Sequence, residues 1–354
     1  MAGALAKYSF INAKLRARMS KILPDELFHE LAKSPGLEEA LAALRSTPFA
    51  RLEEVYSSTG DIKQAELELL KDEIEVYKDI RKCQSGSAEI INALLYQFEI
   101  DNLKNAIRLY FERKIRNRSI DDSVHYILYD RIIHNIPFDI IVNANSFEEI
   151  AGVCEGTPYC QIIKKYYPTV EAENSLYRME VALDHFYYSN LIECINELDK
   201  SDRDIAIRLI GTEIDLQNIK LVIRLKSFHN LGINEVMATV VPGGFNVGKG
   251  VIEQLYTEHN VEYVLQGLVK NKYPGLSALF GSQASDNVSR LLLIQQMLHE
   301  ITRHEVKKIL AGYPFTIGVI LSYFILKQEE LRRVRMILNA KQYGIDQERI
   351  ESMI

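Results

Sequence analysis

Apolar and polar positions recur along this chain in a long-period pattern. One block occurs three times, as FEIDNLKNAIR at 98–108, IDLQNIKLVIR at 214–224 and EELRRVRMILN at 329–339, at steps of about 116 and 115 residues. Each copy carries an acid (Glu99, Asp215, Glu330), an apolar residue just after it, another three further on (Leu103, Ile219, Val334) and then a base (Lys104, Lys220, Arg335). An apolar pair closes each copy: Ala106 and Ile107, Val222 and Ile223, Ile337 and Leu338. Apolar spacing of i, i+3, i+6 and i+7 is one stripe of an amphipathic helix, and it sets acid and base on the flanks of that stripe.

A second block lies upstream of each first one: LEEALAALRSTPF from Leu37, FEEIAGVCEGTPY from Phe147 and the weaker VEYVLQGLVKNKY from Val261. From its start to Asn102, Asn218 and Arg333 the distances are 65, 71 and 72 residues. Punctuation keeps the same step, with SGS at 85, KSD at 200 and GYP at 312 each interrupting two long helical patterns. The fold class expected is therefore all-α, in three similar units at 1–118, 119–232 and 233–354, each made of short helices and an antiparallel pair of long ones. The terminal GIDQERIESMI matches SIDDSVHYILY and GINEVMATVV, so the chain stops as a fourth unit begins. Three units that each leave an apolar face either stack as an open solenoid or close around a pseudo-threefold axis; three is few for a solenoid, which favours closure.

Composition narrows the function classes. The 354 residues are 47% hydrophobic and 25% charged with a net charge of −6, an ordinary globular chain without a global field for nucleic acid or an anionic bilayer. Four cysteines, Cys83, Cys154, Cys160 and Cys194, lack the short paired spacing of zinc sites, which points to a reducing compartment. In the second block's register Cys154 takes the place of Leu44 and Leu268, the slot of a small core residue. The run from Tyr313 to Leu326 is 14 residues long, shorter than the ~20 a spanning helix needs, and reads as a core helix. Before Asp25 there is no acid, while Lys7, Lys14, Arg16, Arg18 and Lys21 are all basic, an amphipathic helix rather than a transit peptide.

Several stretches tempt towards chemistry. PGGFNVGKG at 242–250 nearly spells a phosphate loop, but Gly250 stands where Ser or Thr holds Mg²⁺ and the surroundings are helical, so a connecting turn is expected. In HEITRH the histidines His299 and His304 are five apart, about 140° around a helix, too far round to grip one metal, and a solvated helix face is expected. RKIRNR at 113–118 ends a long helix, where cations complement the dipole, and lacks the aromatic interleaving of a nucleic-acid surface. No catalytic, cofactor or metal residues are assigned.

At these same residues the sequence resembles a known family, the C subunit of the archaeal and bacterial A-type or V-type ATPase, equivalent to the eukaryotic d subunit. The resemblance runs through YSFINAKLRARMSKIL, EIDLQNIKLVIR, the turn at Pro242–Gly244 and, most specifically, EITRHEVKKILAGYPFTIGVILSYFILKQEELRRVRMIL. Arg333 departs from the Asn set by Asn102 and Asn218, and Phe10 from a commoner Tyr. The resemblance implies a non-catalytic, funnel-shaped, all-helical part on the cytoplasmic face of the membrane. It would receive the central shaft, subunits D and F, and rest on the membrane proteolipid ring, coupling ATP hydrolysis or synthesis to proton or sodium movement, with no cofactor, nucleic acid or small-molecule substrate. Arg16, Arg18, Lys104, Lys220 and Arg335 are the candidate partner contacts. Two other functions stay open: a helical-repeat adaptor for soluble partners, and an ATP-binding enzyme built on Lys249.

Overall fold

The computed structural model describes residues 2–83, 88–120, 126–228, 231–258, 261–272 and 287–351. Among them regular structure is helical, with no strand. In chain order the helices are α1 (Ala2–Met19), α2 (Asp25–Lys33), α3 (Leu37–Ala43), α4 (Ala50–Thr59), α5 (Ile62–Cys83) and α6 (Ala88–Tyr110), which runs into a π-helical turn at Phe111–Ile115. Then come α7 (Phe138–Asn143), α8 (Phe147–Val153), α9 (Tyr159–Glu173), α10 (Tyr177–Asn196) and α11 (Lys200–Phe228). The last are α12 (Ile233–Thr239), α13 (Lys249–Thr257), α14 (Val261–Lys272), α15 (Asn287–Leu310), α16 (Gly318–Gln342) and α17 (Gln347–Glu351). The first block thus lies on α6, α11 and α16, and the second starts α3, α8 and α14.

The residues form two compact units: Met1–Ala43 with Ile195–Ile354, and Leu44–Cys194. This partition differs from the three copies counted along the sequence. In the continuous unit α4 packs on α5, α5 on α6, α6 on α7, and α7 and α9 each on α8. Its core is rich in rings, including Tyr110 edge-on to Phe147 at 4.9 Å and Tyr77 beside Phe98 at 5.8 Å. Helix ends there follow local rules. Gly60 terminates α4 at φ +69°, donating its N–H to the Tyr56 carbonyl, and the Ser146 hydroxyl caps the Glu149 N–H at the start of α8.

In the unit that joins both ends of the chain, α11 packs against α13, α15 and α16, while α16 also lies on α1, α2 and α3. The apolar run expected to form a core helix does so from Gly318, with Gly318 to Ile325 all buried, while Tyr313 to Ile317 form the turn before it and Tyr313 is exposed. Gly318 permits that depth, because a Cβ there would come within 2.6 Å of Ile309 and 3.1 Å of Ile205. The chain's beginning is tied down by polar contacts as well. Tyr8 and Lys7 both donate to Asp202, whose other oxygen accepts the Ile317 N–H at 2.8 Å, and Lys341 donates to the carbonyls of Ala32 and Ser34.

Candidate functional site

The three repeated acids, expected on the flanks of the apolar stripe, are buried, at 1% exposure for Glu99, 3% for Asp215 and 2% for Glu330. A buried carboxylate is costly unless its oxygens accept hydrogen bonds. Each of these accepts them from the backbone of a loop. Glu99 takes the N–H of Ile133 at 2.8 Å and of His134 at 2.7 Å, the Tyr159 hydroxyl at 2.8 Å and the His134 ring at 2.6 Å. Asp215 takes the N–H groups of Phe245, Asn246 and Val247 at 3.1, 2.6 and 3.2 Å. Glu330 takes the Leu23 N–H at 2.7 Å.

Three residues further along the same helix face a second group completes the grip. Asn102 holds Leu128 by both its N–H and its carbonyl, at 2.9 and 2.8 Å, and Asn218 holds Val241 in the same way at the same distances. The amide's paired donor and acceptor suit an isolated peptide unit, which offers one of each. Arg333 replaces this amide with a cation, and its partner changes accordingly. Its guanidinium donates to Asp25 at 2.8 Å and lies 3.8 Å over the Phe28 ring, while Arg303 donates to the other Asp25 oxygen at 2.6 Å. Burial by itself raises the Asp25 carboxyl, but Arg333 and Arg303 outweigh it and hold it at about 2.

The three grips therefore share one design: acid and i+3 partner on a long helix, fastened to the loop that leads into a short helix pair. For α6 that loop precedes α7 and α8, and for α11 it precedes α13 and α14. For α16 it precedes α2 and α3 at the other end of the sequence. The repeat pattern marks the acids and the two asparagines without revealing their role. A signal was present, since a polar pair at i and i+3 recurs within the apolar stripe.

The phosphate-loop likeness is explained by the same grip. The amides of 245–247 do converge on an anion, but the anion is the Asp215 carboxylate of the protein itself. Gly243 supplies φ +97°, and a Cβ on Gly244 would overlap Asp215 Oδ1. Lys249 is exposed at the first position of α13. Burial pushes the Asp215 carboxyl up to about 6, against the pull of the three amides. The two histidines of HEITRH part company. His304 is exposed, whereas His299 is largely covered, 2.9 Å from Glu329, which corrects the solvated face expected for it. No cluster of His, Cys, Asp or Glu among the described residues could hold a metal ion. In RKIRNR, Arg113 donates to the carbonyls of Val142 and Ala144, and Arg116 and Arg118 both pair with Glu112.

The five candidate contact residues fall in different settings. Arg16 is exposed and bonded to Asn12 and to the Leu310 carbonyl, each at 3.0 Å; Arg18 is half-buried on the same helix. Lys104 is buried and paired with Asp184. Lys220 is half-buried, its ammonium pushed down by burial, and Arg335 is exposed on α16. Among the described residues Lys104 is the repeat base with an ion pair, and Lys220 and Arg335 have none. Among the described residues no helix is long and apolar enough to cross a membrane.

Comparison with known proteins adds an independent line. The model of the ATP synthase (C/AC39) subunit family matches residues 11–353. The C subunit of the A-type ATP synthase of Methanocaldococcus jannaschii is 24% identical over 355 aligned positions, spanning 99% of this chain and 86% of the relative. The corresponding protein of Pyrococcus furiosus is 25% identical, spanning 98% and 90%, and that of Methanococcoides burtonii is 25% identical, spanning 99% and 95%.

Proposed function

From the premise that this chain belongs to the ATP synthase (C/AC39) subunit family, we propose that it is a non-catalytic coupling part of a rotary A-type ATPase. It receives the foot of the turning shaft and passes torque to the membrane proteolipid ring, during ion transport or ATP synthesis, from the cytoplasmic side. The observation that carries the reading is the family match over almost the whole chain. The buried grips support it. A part that transmits torque must resist deformation, and close-packed helices whose connecting loops are fastened by carboxylates deform little. Arg16, Arg18, Lys220 and Arg335 are proposed polar contacts to shaft or ring; Lys104 is already engaged by Asp184.

The test is co-isolation. Membranes solubilised in mild detergent and run on a native gel should carry this polypeptide in the band that hydrolyses ATP. Recovery only with soluble partners supports the adaptor reading instead and sinks this one.

A further inference from the structure

Among the described residues α16 is the helix packed most closely on α1, and the face of α1 turned away from it is exposed and chemically one-sided. Tyr8, Ile11 and Leu15 are its buried stripe, with α16 packed on the helix, so its orientation is set. Turned away from that stripe are Phe10, 65% exposed, and Leu5, 47% exposed, two of the larger apolar side chains in solvent. Phe10, Lys14 and Ala17 fall at i, i+4 and i+7 on one stripe, and Lys21 follows in the turn that ends the helix. Small residues, Ala6, Ser9, Ala13 and Ser20, line the exposed surface between Phe10 and Leu5 and keep it flat. The segment up to Pro24 contains five of the chain's 42 basic residues and none of its 48 acidic ones. In a chain of net charge −6 this segment is thus locally cationic, and of its five bases only Lys7 has an ion pair among the described residues, with Asp202.

We propose that the outer face of α1 docks on anionic phospholipid headgroups, with Phe10 entering the interface and Lys14 and Lys21 meeting phosphates. Charge complementarity selects this occupant. A helix with cations, no acids and an exposed aromatic is the composition that binds in the plane of an anionic membrane surface. Arg16 faces Asn12 and the Leu310 carbonyl and Lys7 faces Asp202, so neither is needed for the contact. The inference rests on the coupling reading only for bringing this helix near a bilayer; lipid binding itself belongs to the isolated chain.

The experiment is sedimentation of the purified full chain with vesicles of phosphatidylcholine alone or with about one-third phosphatidylglycerol, at low and high salt. Wild type should pellet with the anionic vesicles and be released by salt. Lys14→Gln with Lys21→Gln should weaken that partitioning by at least about tenfold, since each cation near such a surface contributes on the order of a fivefold factor. Phe10→Ser should weaken it at unchanged salt dependence. Lys164→Gln with Lys165→Gln, the same charge loss at exposed positions on α9, should leave it intact. Circular dichroism of each variant verifies that the helices persist. The proposal fails if wild type ignores phosphatidylglycerol, or if the α9 pair lowers binding as much as the α1 pair. It also fails if the α1 variants lose co-migration with the ATPase while vesicle binding is unchanged, which would assign this face to a protein. Absence of co-migration by wild type, with lipid binding retained, would overturn the coupling reading and leave this one standing.

Discussion

The Asp215 grip makes a quantitative prediction that separates a structural carboxylate from a decorative one. Asp215→Ala removes the acceptor of three backbone N–H groups, those of Phe245, Asn246 and Val247. At a net value of about 1 kcal/mol per bond the loss is about 3 kcal/mol, felt first as local opening of the loop. Hydrogen exchange resolved to single amides at pH 7.5, where a group near 6 is ionised, should therefore accelerate at 245–247 by roughly a hundredfold. Exchange in α6 and α16 should not change. Gly244→Ala attacks the same contact from the loop side. Gly244 is not among the residues with positive φ, so alanine suits the backbone, but its Cβ overlaps the Asp215 carboxylate and displaces it. The two perturbations must then be strongly non-additive, with a coupling of about 1 kcal/mol or more, because truncation at position 215 leaves room for the new methyl at position 244. If Gly244→Ala costs as much in the Asp215→Ala background as in wild type, or if exchange at 245–247 stays protected without the carboxylate, the reasoning is refuted.

Two further outcomes follow from charge and burial. Asp25 is held at about 2 by Arg333 and Arg303, below its ordinary 3.8, so its stabilisation is complete above about pH 4 and is lost as pH falls towards 2. The carboxylate is more than one-third exposed, so solvent screening reduces the effect to about 1 kcal/mol; acid titration of urea stability should show wild type losing that much more than Asp25→Asn, and parallel curves would count against the grip. Burial pushes the Cys154 thiol up to about 12, whereas Cys83 is exposed, so a thiol reagent at pH 8 should label Cys83 quickly and Cys154 only on unfolding. Rapid native labelling of Cys154, read by peptide mass spectrometry, would contradict its place in the core.

Much of the architecture was legible in the residues alone because helical burial leaves a periodic trace. The stripes at 100–107, 216–223 and 331–338 predict long helices, and α6, α11 and α16 carry them. The apolar run from Tyr313 predicts a core helix, found from Gly318 onward, and the slot shared with Leu44 predicts a buried Cys154, which is found. The polar positions were less legible. Side-chain type reports a residue's capacity for hydrogen bonds but not its partner, so Glu99, Asp215 and Glu330 read only as acids flanking a stripe. Likewise His299, five residues from His304, gave no sign that Glu329 would face it.

Sequence by itself determined that the chain is helical, that one block of residues recurs three times, and that the glycine-rich turn lacks the residues for Mg-nucleotide. Those properties are local or periodic, and local sterics and burial suffice to set them. Only the tertiary structure decided which groups meet across long stretches of chain: that the turn's amides close on Asp215, that Arg333 finds Asp25, and that α16 fastens the segment with which the chain begins. Contacts between residues some 300 positions apart depend on how packed helices bring their ends together, and no pattern along the chain encodes that distance directly.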